Sequence, residues 1–238
     1  LMRRIVSASN SAMETWRTVL HARACGDSGM TAVSTDGFVW TRRSGDLSEE
    51  CRLLSLVSTG GGYFALGTRE MMAGSARSFI YSSPEGTNWT LAASLDDVAL
   101  RDIAWTGSAL IAVGETGISF GDEPESVVLT STNGTNWQEQ PCEAPGELTQ
   151  VVVNNGRITA AGPDGYVVAG NSSDELKIVR SGARIQGVVY GGNRYTAVTN
   201  KGTVITSSDG ASWEEHHSFA ATYFLKIIYS AGKYVALG

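Results

Sequence analysis

Apolar and polar positions alternate along this chain in short runs, and one run recurs six times without gaps: Met30-Thr31-Ala32-Val33-Ser34, Tyr63-Phe64-Ala65-Leu66-Gly67, Leu110-Ile111-Ala112-Val113-Gly114, Ile158-Thr159-Ala160-Ala161-Gly162, Tyr195-Thr196-Ala197-Val198-Thr199 and Tyr234-Val235-Ala236-Leu237-Gly238. Each has a large apolar residue, Ala two positions on, then an aliphatic residue or Ala, then Gly, Ser or Thr. Short β-prone runs of this kind predict strands. The unvarying Ala says that a backbone or ring packs too closely there for a larger side chain. Upstream of each lies a turn rich in Gly, Asn and Asp, such as Gly60-Gly61-Gly62 or Asn154-Asn155-Gly156, as a tight hairpin requires. Before the turn comes another apolar run, with a fixed apolar position at Leu20, Leu53, Leu100, Leu148, Ile185 and Phe224. Downstream follow a third strand, such as Gly202 to Thr206, and a turn such as Ser207 to Trp213. Each unit therefore reads as a four-stranded meander of strands a, b, c and d.

Spacing then selects the architecture. Counted at the first turn, on Asp27, Gly60, Gly107, Asn155, Gly192 and Ala231, the units lie 33, 47, 48, 37 and 39 residues apart. That is the period of a four-stranded propeller blade. The prediction is an all-β, six-bladed β-propeller of four-stranded antiparallel blades. Its blades span approximately 222–238 plus 1–17, 18–50, 51–92, 98–140, 147–180 and 183–215. The first of these joins the two ends of the chain: Ala236-Leu237-Gly238 continued by Leu1 to Val6 lies in register over Ala197 to Ile205. N-terminal strands pairing with C-terminal strands would close the ring and remove its exposed edges.

The turn between strands c and d carries a motif. Ser207-Ser208-Asp209-Gly210-Ala211-Ser212-Trp213 resembles the Asp-box, or BNR repeat, of the sialidase-like propeller superfamily. Ser131-Thr132-Asn133-Gly134-Thr135-Asn136-Trp137 and Ser83-Pro84-Glu85-Gly86-Thr87-Asn88-Trp89 follow it with Asn or Glu at the acidic position. Three other copies depart from it: 42–48 keeps the Gly, Ser173-Asp174-Glu175-Leu176 lacks Gly and Trp, and Ala8-Ser9-Asn10-Ser11 reaches its Trp late. Physically the motif is a hairpin staple, in which Asp or Asn accepts turn N–H groups, Gly supplies positive φ and Trp lies across the hairpin. The resemblance implies a fold and no single activity. In that superfamily the boxes sit away from the active face, in enzymes, lectin-like modules and assembly factors alike.

Composition narrows the partners. Of 238 residues, 42% are hydrophobic and 18% charged, which suits a folded domain. A net charge of -6 excludes a general basic footprint for nucleic acid. No apolar run is long enough to span a membrane. Leu1-Met2-Arg3-Arg4 lacks the apolar core of a signal peptide. Cys25, Cys51 and Cys142 show no metal-ligand spacing, and adjacent His216 and His217 point to opposite sides of an extended chain. No metal, cofactor or disulfide is expected, and three free thiols are.

Candidate chemistry gathers where loops d-to-a and b-to-c share one face, the propeller mouth. One position before the fixed apolar residue stand Val19, Arg52, Ala99, Glu147, Arg184 and Tyr223. Arg52, Glu147, Arg184 and Tyr223 are the candidate ligand-binding residues, because guanidiniums and a phenol around a funnel suit a carboxylate, phosphate or sugar; solvated strand-end charges are the plainer explanation. Neighbouring loops add Asp96, Asp97, Glu143, Glu214 and Glu215. Paired carboxylates about 5–10 Å apart would make a glycosidase. None of the five prolines follows Ile, so the Arg-Ile-Pro element of sialidases is missing. Two long loops, Gly67 to Arg77 and Gly114 to Ser126, offer a wall to the mouth, and the six Trp residues read as packing between blades. The leading function is a non-catalytic recognition module binding a glycan or protein. The alternative is a glycoside hydrolase with a divergent site. A third possibility resembles the photosystem II stability factor, for which an Arg-rich patch is expected; Arg42-Arg43 is the one such run in a middle blade. A monomer is expected. The Asp-box resemblance implies a secreted or cell-envelope protein, with a cytoplasmic one left open.

Overall fold

The computed structural model describes residues 22–25, 31–34, 39, 41–43, 51–70, 75–116, 125–180, 182–219 and 223–238. They form six separate sheets in chain order. The first holds β1 (Ala22–Cys25), β2 (Thr31–Ser34) and β3 (Thr41–Arg43). The second holds β4 (Arg52–Ser58), β5 (Tyr63–Glu70), β6 (Ala76–Ser83) and β7 (Thr90–Asp96). The third holds β8 (Ala99–Trp105), β9 (Leu110–Thr116), β10 (Glu125–Ser131) and β11 (Gln138–Gln140). The fourth holds β12 (Gln150–Asn154), β13 (Arg157–Ala161), β14 (Val167–Gly170) and β15 (Lys177–Arg180). The fifth holds β16 (Ile185–Gly191), β17 (Arg194–Thr199), β18 (Thr203–Ser207) and β19 (Glu214–Ser218), and the sixth β20 (Lys226–Ser230) and β21 (Lys233–Leu237). Every pairing is antiparallel between consecutive strands. A 3-10 turn at Ser173–Glu175 is the one helical element among the described residues. Residues 1–21, which carry the expected ring closure, lie outside the described residues.

The sheets pack in succession through their first strands: β1 on β4, β4 on β8, β8 on β12, β12 on β16 and β16 on β20. The core accordingly lies between sheets. Leu66 and Ile80 of the second sheet pack with Leu100, Ile103 and Leu110 of the third. Ile111 and Val128 of the third pack with Leu148, Val151 and Ile158 of the fourth. The Ala column sits where these faces meet. Ala32, Ala65, Ala112, Ala160 and Ala197 are buried, whereas Ala236 is exposed on β21. The small residue that ends the motif has a separate cause: a β-carbon at Gly114 or Gly162 would overlap the carbonyl of Ala99 or Glu147 on the paired strand.

Strand a is paired on one edge only, so N–H groups on its other edge need partners from elsewhere. The residue two past the fixed apolar position supplies them. Asp102 Oδ2 accepts the Val151 N–H of the next sheet at 3.1 Å, and its Oδ1 accepts the Ser55 hydroxyl of the preceding sheet at 2.6 Å. Gln150 Oε1 accepts the Val188 N–H at 2.7 Å. In the fifth sheet the same position is Gly187, and a β-carbon there would stand 2.9 Å from the Ile227 nitrogen. The main chain adds Leu148 N–H to Gly114 O, Ile185 N–H to Gly162 O and Phe224 N–H to Thr199 O, each at 3.3 Å.

At the far end of each sheet the c-to-d turns have the staple geometry. Asp209 Oδ1 accepts the Ala211 and Ser212 N–H groups, each at 2.8 Å, and Ser207 Oγ accepts the Gly210 N–H at 2.8 Å. Those backbone donors hold the Asp209 carboxyl down at about 2. Asn133 does the same for Thr135 and Asn136 at 2.9 and 3.0 Å, with Ser131 on Gly134. Gly86, Gly134 and Gly210 have φ of 74, 77 and 73°, which β-bearing residues rarely adopt. The Trp137 and Trp213 indole N–H groups donate to the Gly134 and Gly210 carbonyls. In the Glu85 turn, Ser83 still accepts the Gly86 N–H and Trp89 is buried. The fourth sheet's turn keeps the register with other residues: Gly170 pairs where Ser131 and Ser207 pair, which places buried Leu176 at the position of Trp213. An apolar side chain thus caps this hairpin in place of Trp.

Asp102 bridges three sheets, and this makes a test of the inner-edge bonding. Asp102→Ala leaves the Val151 N–H and the Ser55 hydroxyl without their partner and is expected to lower unfolding free energy by about 2–3 kcal/mol. Asp102→Asn, which keeps one acceptor, should lose clearly less. Urea unfolding followed by tryptophan fluorescence measures both, and equal stability of the Ala variant would contradict the role assigned to the bond.

Candidate functional site

Within each sheet strand a begins where strand b ends, so one rim collects the starts of a, the b-to-c loops and the ends of d. Arg52 pairs with Thr68 at the start of β4, and Arg184 and Tyr223 immediately precede the fixed Ile185 and Phe224. Arg52, Arg184 and Tyr223 are exposed, Tyr223 to 63%. Among the described residues no carboxylate lies within ion-pair distance of Arg184. These three side chains occupy three different sheets.

Glu147 behaves differently. Its Oε1 lies 2.6 Å from Arg101 Nε, while Arg101 Nη2 donates to Glu115 Oε1 at 2.6 Å. All three are largely shielded from solvent. Burial pushes the Glu147 carboxyl above its usual range, Arg101 opposes this, and Glu115 and Asp164 reinforce it. Asp164 is fixed by the backbone, its Oδ2 accepting the Glu147 N–H at 2.9 Å.

Arg101 and Glu115 were absent from the candidate residues, and the reason is a β-bulge. Leu100 pairs with Gly114 and Asp102 with Val113, so Arg101 is an extra residue opposite the ladder. The same shift leaves Leu54 and Gln186 extra in β4 and β16. A simple alternation assigns Arg101 to the face opposite Leu100, whereas a bulge re-aims the side chain. The polar side chain one past the fixed apolar position was the available signal.

The other expected carboxylates are dispersed. Asp96 pairs with Arg77. Asp97 has φ of 59° in the turn before β8, and Glu143, Glu214 and Glu215 are exposed. Among the described residues no group of three His, Cys, Asp or Glu side chains is placed to hold a metal ion. Cys51 and Cys142 are free thiols; burial raises the first to about 11 and also raises the second. Three Trp side chains pack between sheets as expected, Trp105 and Trp137 at the boundary of the second and third and Trp213 at that of the fourth and fifth; Trp89 instead joins a cluster of the second sheet's own residues, and Trp16 and Trp40 lie outside the described residues. Of the two long loops, 71–74 and 117–124 lie outside the described residues.

No protein-family model and no curated protein matches the sequence. Solved structures do match its fold. YCF48 bound to a D1 peptide aligns with 93% of this chain and 86% of its own, at TM-score 0.54 and 17% identity. The nidogen/laminin complex aligns with 84% of this chain and 75% of its own, at 0.59 and 15%. The computationally designed protein Ika8 aligns with 93% and 78%, at 0.55 and 8%. At such identities the likeness concerns the fold alone. The chain is thus a β-propeller of four-stranded antiparallel blades.

The Arg101 cluster generates a pH prediction. Arg101→Met removes the cation that opposes burial, so the Glu147 carboxyl should rise further, as read by carbon NMR titration. A carboxyl raised in the folded state binds its proton there first. The variant should therefore be destabilised by about 2–4 kcal/mol at neutral pH. It should regain part of that as pH falls through the raised value toward the ordinary carboxyl range. A loss of stability independent of pH would show that packing of the arginine stem, not its charge, matters.

Proposed function

We propose that this propeller is a non-catalytic recognition module that binds a partner on the rim carrying Arg52, Glu147, Arg184 and Tyr223, with a protein partner favoured and a glycan the other choice. The observation that carries the reading is the division of labour on the rim. Glu115, Glu147 and Asp164 are engaged by Arg101 and by a backbone N–H, whereas Arg184 and Tyr223 present exposed planar groups to solvent, on the same rim as the exposed Arg52. Arginine and tyrosine are the side chains that binding surfaces favour. Two structural neighbours are, by name, complexed with a D1 peptide and with laminin, which supports a protein partner. Replacing Arg52 and Arg184 together by Ala should weaken binding of a partner isolated by screening at least about tenfold, since each charge-assisted contact contributes about 1.5–3 kcal/mol. Unchanged affinity in a folded double variant would move the site off this rim.

One observation favours the second reading, a glycoside hydrolase. Glu115 and Glu147 share one guanidinium, and burial shifts the Glu147 carboxyl upward, the direction a general acid requires. A fluorogenic glycoside panel decides it: turnover abolished in Glu147→Gln would replace recognition by catalysis.

The rim reading assumes a closed ring of six blades. β21 pairs with β20 alone among the described residues, and its Val235 and Leu237 are 48% and 58% exposed, while the matching residues of β9 and β17, whose sheets are complete, are buried. Overlay on β17 and β18 would place Ile5 opposite Leu237 and Val6 opposite Ala236. Deleting residues 1–16 should then expose a sheet edge and produce aggregates on size exclusion. A soluble monomeric deletion product would count against closure by these strands.

A further inference from the structure

Arg180 ends β15 opposite Val167, where the fourth sheet passes the chain to the fifth. Its Nη1 is buried and has no hydrogen-bond partner, and among the described residues no carboxylate lies within ion-pair distance. An arginine stays charged even so, and a desolvated donor without an acceptor calls for an explanation. Burial works against its charge, with the exposed Glu215 of β19 supporting it from a distance. The backbone beside it is fixed. The guanidinium lies over Gly182, with Nη2 3.4 Å from the site of a β-carbon. The Gly182 carbonyl is wedged against Gly165, and the Ile185 N–H is bonded to Gly162. Two residues past Gly182 in the chain comes the exposed Arg184.

We infer that Arg180 and Arg184, flanking Gly182 at the boundary of the fourth and fifth sheets, form an oxyanion subsite that takes a carboxylate, sulfate or phosphate group of the partner. The inference rests on the reading of the rim as a recognition surface and names the chemistry of one contact in it. A guanidinium forks two donors onto one oxyanion. Arg180, half-buried with its guanidinium over Gly182, has less freedom to lose on binding than an exposed arginine. Gly182 puts no side chain over the guanidinium, where a β-carbon would stand 3.4 Å from Nη2.

The test is a titration of the full chain by amide NMR with inorganic phosphate and, separately, acetate, the two probes distinguishing tetrahedral from planar oxyanions. Saturable shifts confined to Gly165, Gly182, Ala183 and Arg184 are expected with at least one probe. Arg180→Gln and Arg184→Gln should each weaken them about tenfold or more, and Arg180→Lys, which keeps charge without the fork, should restore part. Three results overturn the subsite: no saturable shift with either probe, shifts unchanged in Arg180→Gln, or shifts spread evenly over all arginine-bearing segments. Should Arg180→Gln fail to give a dispersed spectrum, Arg184→Gln and Arg180→Lys carry the same test. Loop shifts beside a partner indifferent to Arg52 and Arg184 would overturn the rim reading alone. A rim-dependent partner without loop shifts would overturn the subsite alone.

Discussion

The unpaired edge of strand a is the constraint on which the rest of this structure depends. A four-stranded antiparallel meander leaves both faces and both edges open, and its first strand here is drawn into contact with the first strand of its neighbour. Buried main-chain donors on that edge must find acceptors. They find them on the preceding sheet: Asp102 for Val151, Gln150 for Val188, and carbonyls of Gly114, Gly162 and Thr199 for the fixed apolar residues. Hydrophobic packing between sheets is non-directional, so it brings sheets together without setting their height or angle. The hydrogen bonds set both.

That fixity explains how a chain with short strands presents a defined rim. Ser78 Oγ donates to Val98 O and Ser126 Oγ to Gly146 O, at 2.8 and 2.7 Å, so equivalent serines of two sheets anchor the strand that starts the next. Arg101 follows Val98 by three positions and Glu147 follows Gly146 by one, both on backbone that is already held. Arg101 then links the third and fourth sheets through Glu115 and Glu147 at the same level. A carboxylate pair used in this way stiffens the rim.

Much of this was legible in the sequence because it repeats. The Ala column, the hairpin turns and the staple residues Ser207, Asp209, Gly210 and Trp213 each recur, and recurrence separates a structural demand from chance. What escaped was whatever changes identity from sheet to sheet. The inner-edge position reads Ser55, Asp102, Gln150, Gly187 and Lys226, with no common side chain to align. The bulge that re-aims Arg101 leaves no residue signature either, since Leu54, Arg101 and Gln186 share nothing but their place. Glu147 was recognised as a rim residue and its partner was not, because ion pairing across sheets depends on that bulge.

The variation at the inner-edge position is itself informative about the rim. Asp102 and Gln150 span to the next strand with a side chain, whereas Gly187 lets the Ile227 backbone come close without one. The spacing between neighbouring sheets is thus set locally, boundary by boundary, and not by a common rule. A succession of sheets assembled this way needs no symmetry in its rim. One boundary, between the third and fourth sheets, is filled by the Arg101 cluster. The next, between the fourth and fifth, holds Arg180 over Gly182 with a donor unmet. The same propeller scaffold can therefore fill one seam with an ion-pair cluster and leave a donor unmet at the next, so a repeated fold need not treat its boundaries alike.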